Sequence, residues 1–315
     1  MLIGKNLGNY RILARSRLGE SGGIYKAVHV PQRQTYALKL LSGALDQDNP
    51  QDRGFIEELR LVEKLDHPHI ARLYPYEVVD DFSIIPIEFT YGQSVSERIE
   101  QGPAPLEFAL RVALQTTQGL EEAHRNGVIH RRLTSNNLMI GGDGDVKVLD
   151  FGLSQMSRPE FRNPEDEAFT ACLVPSPKPP LSSIAYQSPE QVQGAPASPS
   201  SDLFSLGVIL YELLAGQFLF EGENEAELLR QIEVRDLPAI SQIRPEISRS
   251  WSKLLRGLLE KNSLNRYPSA EKLMDDLRSL NYGFSLDRLS FQTADPDLSR
   301  RSFFRRFLGD RGVES

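Results

Sequence analysis

A handful of side chains in this 315-residue sequence have the types and settings to hold charge against charge. Lys39 lies inside the apolar run Tyr36-Ala37-Leu38-Lys39-Leu40-Leu41, and Glu58 follows nineteen residues later. Asn137 and Asp150 stand thirteen residues apart, with Arg131-Arg132 just upstream of the asparagine. Gly19 and Gly22 can bring backbone N–H groups close to an anion such as phosphate, because they carry no Cβ. One chemistry is excluded at Arg132: a guanidinium, with a pKa above about 12, cannot take a proton from a substrate hydroxyl. Taken alone, a strand lysine is usually a solvated edge charge. Lys39, Glu58 and Asp150 could together form nothing more than an internal charge cluster.

The order of these residues carries more than their types. His130-Arg131-Arg132-Leu133-Thr134-Ser135-Asn136-Asn137 is similar to the H-R-D-L-x-x-x-N catalytic loop of protein kinases. Tyr36-Ala37-Leu38-Lys39 resembles V-A-I-K, His67-Pro68-His69-Ile70 resembles H-P-N-I, and Asp150-Phe151-Gly152 is D-F-G. Ser188-Pro189-Glu190 matches A-P-E, with Tyr186 at the family's tyrosine. Asp202 looks like the aspartate that braces the catalytic-loop backbone, and Arg266 like the arginine that pairs with the A-P-E glutamate. Over roughly residues 8–281 the chain resembles the bacterial-type serine/threonine protein kinases, as a degenerate, pseudokinase-like member.

That resemblance implies an α+β, two-lobed fold. Residues 1–87 would form a small antiparallel-sheet lobe with one helix. Residues 88–281 would hold a hinge at Glu88-Phe89-Thr90-Tyr91-Gly92, with Ile87 behind the adenine pocket, and a large helical lobe with a long segment at 150–190. ATP would be held by Gly19, Gly22, Ile24, Ala37, Lys39, Glu58 and Glu88, with Glu58 ion-paired to Lys39 and Ile24 and Ala27 as an apolar ceiling. Asn137 and Asp150 would hold Mg2+. The departures fall on the transfer half of the site. Arg132 replaces the proton-accepting aspartate and Thr134 the lysine that reaches the transferred phosphate. Arg17 replaces the first glycine of the phosphate loop, and Ser182-Ser183-Ile184-Ala185-Tyr186 alters the peptide platform. The resemblance thus implies a pseudokinase that binds ATP and Mg2+ and acts as a regulator or scaffold. The alternative is an active, unorthodox serine/threonine kinase that relies on metal and positioning; a nucleotide-free interaction module is a third reading.

The elements that must position these groups are legible from periodicity. Apolar residues 55, 56, 59, 62 and 65 recur at helical spacing and put Glu58 on an amphipathic helix. Leu106–Asn126 has the same period and stops before Gly127. Gly141-Gly142-Asp143-Gly144 reads as a hairpin turn before the strand Val146–Leu149; it lacks the later acidic ligand of a calcium loop. The apolar run Leu203–Phe220, opened by Asp202, contains Glu212 and reads as a buried helix, not a membrane span.

A net charge of −7 and a pI of about 5.4 argue against nucleic acid as the main partner. The single cysteine, Cys172, excludes an internal disulfide, and the N-terminus shows no signal peptide, so a cytoplasmic protein is expected. Residues 157–180, proline-rich and acidic, read as a mobile loop in which Thr170 and Ser176 are candidate phosphoacceptors for Arg131 to meet. In the tail, 282–315, the arginines and phenylalanines of 299–308 could lie on a membrane surface or a partner, or fold back on the domain.

Overall fold

Alternation builds the first layer. In Tyr10–Arg15 (β2), Tyr10, Ile12 and Ala14 are buried while Arg11, Leu13 and Arg15 face outward, as a strand with one wetted face requires. The computed structural model describes residues 2–15, 24–80, 82–153 and 181–281. Arg17, Gly19, Gly22, the 157–180 loop with Thr170, Cys172 and Ser176, and the 299–308 segment lie outside them.

Asn6–Leu7 (β1), β2, Ile24–His29 (β3), Gln34–Ser42 (β4), Glu77–Val79 (β5) and Phe82–Glu88 (β6) form one antiparallel sheet in the order β1-β2-β3-β4-β6-β5. Its outer face carries a cluster that includes Tyr10, Ile12, Tyr25, Ala27, Tyr36, Leu38 and Ile84. The helix Pro50–Glu63 (α1) buries Phe55, Ile56, Leu59 and Val62, with Leu65 just beyond it, so the expected apolar stripe is the face it packs. Each such side chain contributes about 1.5–3 kcal/mol on burial. That stripe joins the larger core, which continues among the helices that follow.

After the sheet the chain turns helical. Gln93–Ser94 (β7), Leu138–Ile140 (β8) and Val146–Val148 (β9) make a small second sheet, with the hairpin at 141–144 where the glycines place it. Val95–Ile99 (α2) and Leu106–Arg125 (α3) lie between β7 and β8; α3 stops ahead of Gly127, whose φ of 76° a side chain would resist. Beyond β9 come Leu181–Ile184 (α4), Pro189–Val192 (α5), Pro199–Ala215 (α6), Glu225–Val234 (α7), Ile240–Ile243 (α8), Arg249–Leu259 (α9) and Ala270–Asn281 (α10). Helix α6 starts three residues before Asp202, at a Ser198/Ser201 capping box followed by Pro199. Every residue from Ser201 to Ala215 is buried, and Gly216 ends the helix with φ 68°. The apolar run thus leaves the helix before Leu219 and Phe220, which are buried without being helical. Among the described residues no helix is long and apolar enough to cross a membrane.

One ion pair ties the start of α5 to the segment before α10. Arg266, fully buried, donates Nη1 to Glu190 Oε1 at 2.7 Å and Nη2 to Glu190 Oε2. Burial alone would raise the Glu190 pKa, but Arg266 and the Ser201 hydroxyl outweigh it and hold the carboxyl down at about 2. A depressed acid stabilises the fold above its unfolded pKa, and that contribution disappears as pH falls through the folded value. Arg266→Met should therefore cost roughly 2–3 kcal/mol near neutral pH, with the deficit shrinking as pH drops from about 5 towards 2. Urea unfolding of both proteins across that range is the check; a pH-independent deficit would count against it.

Candidate functional site

The loop 130–137 is held by its backbone. Asp202, buried in the first turn of α6, accepts the N–H of His130 and of Arg131 at 2.8 Å each. The same carboxylate meets His124 Nε2 at 2.8 Å. On the other side Gln191 Nε2 donates to the Arg131 carbonyl at 2.8 Å. This clamp holds Arg131 at φ 68°, a region non-glycine residues rarely occupy. Burial lowers the pKa of His130, which favours the neutral ring, and its Nε2 lies 2.8 Å from the Leu149 carbonyl. Phe151 packs on that ring with centroids 4.8 Å apart, which joins the loop to Asp150-Phe151-Gly152.

Lys39 is completely buried on β4. Burial lowers its pKa, Asp150 opposes that, and Arg132 adds to it. The carboxylate acting most on Lys39 is therefore Asp150, whereas Glu58 on α1 is ion-paired with Arg131 Nη1. Arg131, expected to be available to a phosphate, is thus engaged by the Glu58 carboxylate. Asp150 has φ 64°, and at Gly152 (φ 71°) a Cβ would lie 2.7 Å from Val62 Cγ2. Glycine lets this segment press against α1.

Thr134, buried, donates Oγ1–H to Asn137 Oδ1 at 2.8 Å, and Asn137 Nδ2 donates to Asp150 Oδ2 at 3.3 Å. Magnesium binding, implied for this pair, needs two oxygens turned to one cation. Here the amide offers its NH2 to Asp150 and its oxygen to Thr134, so the pair as arranged does not fit the metal.

The apolar ceiling is corrected by strand parity. Ile24 and Ala37 are half-buried, whereas Ala27 is fully buried in the outer cluster. Ile24 and Ala27 are three residues apart on one strand and so face opposite sides. Ile87 is buried and pairs with Ala37 across β4 and β6, consistent with a place behind the pocket. The Glu88 side chain is taken by Lys147 Nζ, at 2.7 and 2.9 Å, and by the Arg72 N–H at 3.1 Å. The Glu88 N–H is engaged as well, by the Arg72 carbonyl at 2.8 Å. His69 bonds the Val146 carbonyl through Nδ1 at 2.9 Å, and no acidic or histidine cluster suited to a metal occurs among the described residues.

A protein kinase domain model matches residues 17–277. The chain belongs to the protein kinase family. This kinase domain is 30% identical over 292 residues to the serine/threonine-protein kinase PrkC of Bacillus subtilis, covering 92% of the chain and 43% of that protein. It is 29% identical over 272 residues to the serine/threonine-protein kinase PknL of Mycobacterium tuberculosis, covering 86% of the chain and 65% of that protein. The chain therefore spans less than half the length of the Bacillus relative. In fold it is similar to the Mycobacterium tuberculosis PknI kinase domain, with a TM-score of 0.65 at 20% identity over 89% of this chain and 99% of that one. The bacterial serine/threonine kinase character read from the motifs agrees with these relatives.

Sequence reasoning missed a buried polar chain beneath the loop. Ser135 Oγ lies 2.7 Å from the Tyr186 hydroxyl, which donates to Glu212 Oε2 at 2.7 Å. Glu212 is fully buried on α6; its signal was a lone carboxylate inside an apolar helix. Burial pushes its pKa up to about 7, against the pull of the Tyr186 and Leu219 hydrogen bonds. A raised pKa gives stability that is full below the unfolded carboxyl value and is lost as pH rises through about 7. Glu212→Gln, which keeps shape and hydrogen bonding, should flatten that dependence and gain roughly 2–3 kcal/mol over the wild type near pH 8. Thermal melts from pH 5 to about 8 test this; parallel curves for the two proteins would refute it.

Proposed function

We propose that this kinase domain binds ATP and acts through its conformation as a regulator or scaffold, with weak or no phosphoryl transfer. The observation that supports the reading is Arg132 at the sequence position of the family's proton-accepting aspartate, on a loop whose preceding backbone N–H groups Asp202 holds. Lys39, which pairs with Ile24 across β3 and β4, and Asp150, whose charge acts on it, are the groups assigned to the nucleotide. Gly19 and Gly22 would add backbone donors to its phosphates. Loss of a general base typically costs about 10² to 10⁴ in rate, and a cation there also disfavours deprotonation of an incoming hydroxyl. Thr134 is too short to reach a phosphate as a lysine would, and its hydroxyl is spent on Asn137. The rival, an active serine/threonine kinase, has one argument in its favour: relatives such as PrkC and PknL are named as serine/threonine-protein kinases.

ATP at 100 times its Kd should stabilise the domain by about 2.7 kcal/mol, a rise in Tm of several degrees. Lys39→Ala should abolish the rise, and an unchanged melt at saturating ATP would refute nucleotide binding.

On the same sample, phosphate transfer to itself or to generic acceptors should stay at background. The double variant Arg132→Asp with Thr134→Lys should gain more than the product of the single gains, because both groups act on one transition state. Robust transfer by the unmodified chain, abolished by Asp150→Ala, would establish the rival.

A further inference from the structure

The family motif has aspartate where this chain has Arg132, so the formal charge there changes from −1 to +1. That change of two units equals the charge of one magnesium ion. With the aspartate, a cleft holding one lysine and two aspartates would be net negative and would need a divalent cation before it could take a polyphosphate. With Arg132, the trio Lys39, Arg132 and Asp150 is net positive without any metal.

We propose that this site takes a nucleoside polyphosphate without a divalent metal, its phosphates met by Lys39 and Arg132, and that Thr134 keeps Asn137 turned away from metal ligation. The proposal rests on the nucleotide-binding reading above and concerns how the charge of the phosphates is met. Asn137 Oδ1 accepts from Thr134 at 2.8 Å, and the amide nitrogen faces Asp150 at 3.3 Å. A hard cation cannot sit between a carboxylate and an NH2 group. Turning the amide by half a turn would present Oδ1 beside Asp150, and Thr134 Oγ could then accept from Nδ2. The hydroxyl proton, however, would lose its acceptor at a residue only 1% exposed. An orphaned buried donor is penalised by about tenfold or more in an equilibrium constant, and the penalty falls on the metal-bound state. Lys39 and Arg132 supply the opposite preference. Burial and Arg132 both work against the charge of Lys39 and Asp150 opposes them, so a phosphate brought beside Lys39 and Arg132 would add to what Asp150 supplies. The guanidinium can also offer two parallel donors to a phosphate.

Calorimetric titration of the full chain with ATP, once in EDTA and once in excess magnesium, separates the alternatives. Affinity in EDTA should lie within about threefold of that in magnesium, a difference well under the tenfold that corresponds to about 1.4 kcal/mol. Arg132→Gln should weaken binding in EDTA by about tenfold or more, the loss expected for a charge-assisted contact. Thr134→Val, which keeps the shape but removes the proton, should make magnesium beneficial by about tenfold, while Thr134→Ser should behave as the wild type. Binding by the unmodified chain that requires magnesium overturns the proposal and leaves the nucleotide reading standing. Binding in neither condition overturns both. A Thr134→Val protein that folds and shows an unchanged magnesium response overturns the part assigned to Thr134. Should that variant not fold, the wild-type comparison and Arg132→Gln still decide the metal question.

Discussion

The carboxylate of Asp202 is the contact on which the arrangement of the site depends. It is almost wholly buried, a setting costly for an acid unless its oxygens are satisfied. Here they are satisfied by the backbone N–H groups of His130 and Arg131 and by the His124 ring. Hydrogen bonds to a charged group are worth about 1.5–3 kcal/mol each, so this cluster competes well with local disorder of the loop. The donors on the loop are main-chain groups. The clamp itself therefore does not depend on the side chain at 132.

With the path set, the charges around the loop sort themselves by reach and solvation. Arg131 turns to Glu58 and ties α1 to the loop. Arg132, one residue on, is sensed by Lys39, whose ammonium is completely buried and faces the influence of Asp150. Burial makes each of these interactions stronger than its surface counterpart, because little water is available to screen it. For a lysine shut off from water and near a second cation, the carboxylate of Asp150 offsets part of the cost, and an added anion would offset more. Stability and binding preference pull in opposite directions at this point, as they commonly do at sites that receive ligands.

Below the loop, the uncharged half of the network supports the same geometry. Ser135, Tyr186 and Glu212 form a buried chain from the loop through the segment before α5 to the last turn of α6. Asp202 lies at one end of that helix and Glu212 ten residues later, so a single rigid element grips both the start of the loop and its turn at Ser135–Asn137. At the sheet side Lys147 bridges β9 to Glu88 at the end of β6. These contacts make the cleft walls a continuation of the core.

The sequence by itself determined the elements and the order of the motifs. The stripe at 55, 56, 59 and 62 made α1, the glycines at 141–144 made the hairpin, and the apolar run from Leu203 made a buried helix. Such patterns are local: an i, i+4 or i, i+2 neighbour can be read from spacing alone. Parity along β3 was equally readable and would have placed Ala27 on the outer face from the start. What only the tertiary structure decided is which charged group meets which. Glu58 and Arg131 are 73 residues apart, and Glu88 and Lys147 are 59 apart. Nothing in linear spacing shows that Arg131 meets Glu58, because only the folded chain brings the loop and α1 together. The choice follows from side-chain length, burial and the backbone clamp at Asp202, and these exist only when the sheet, α1 and α6 are brought together.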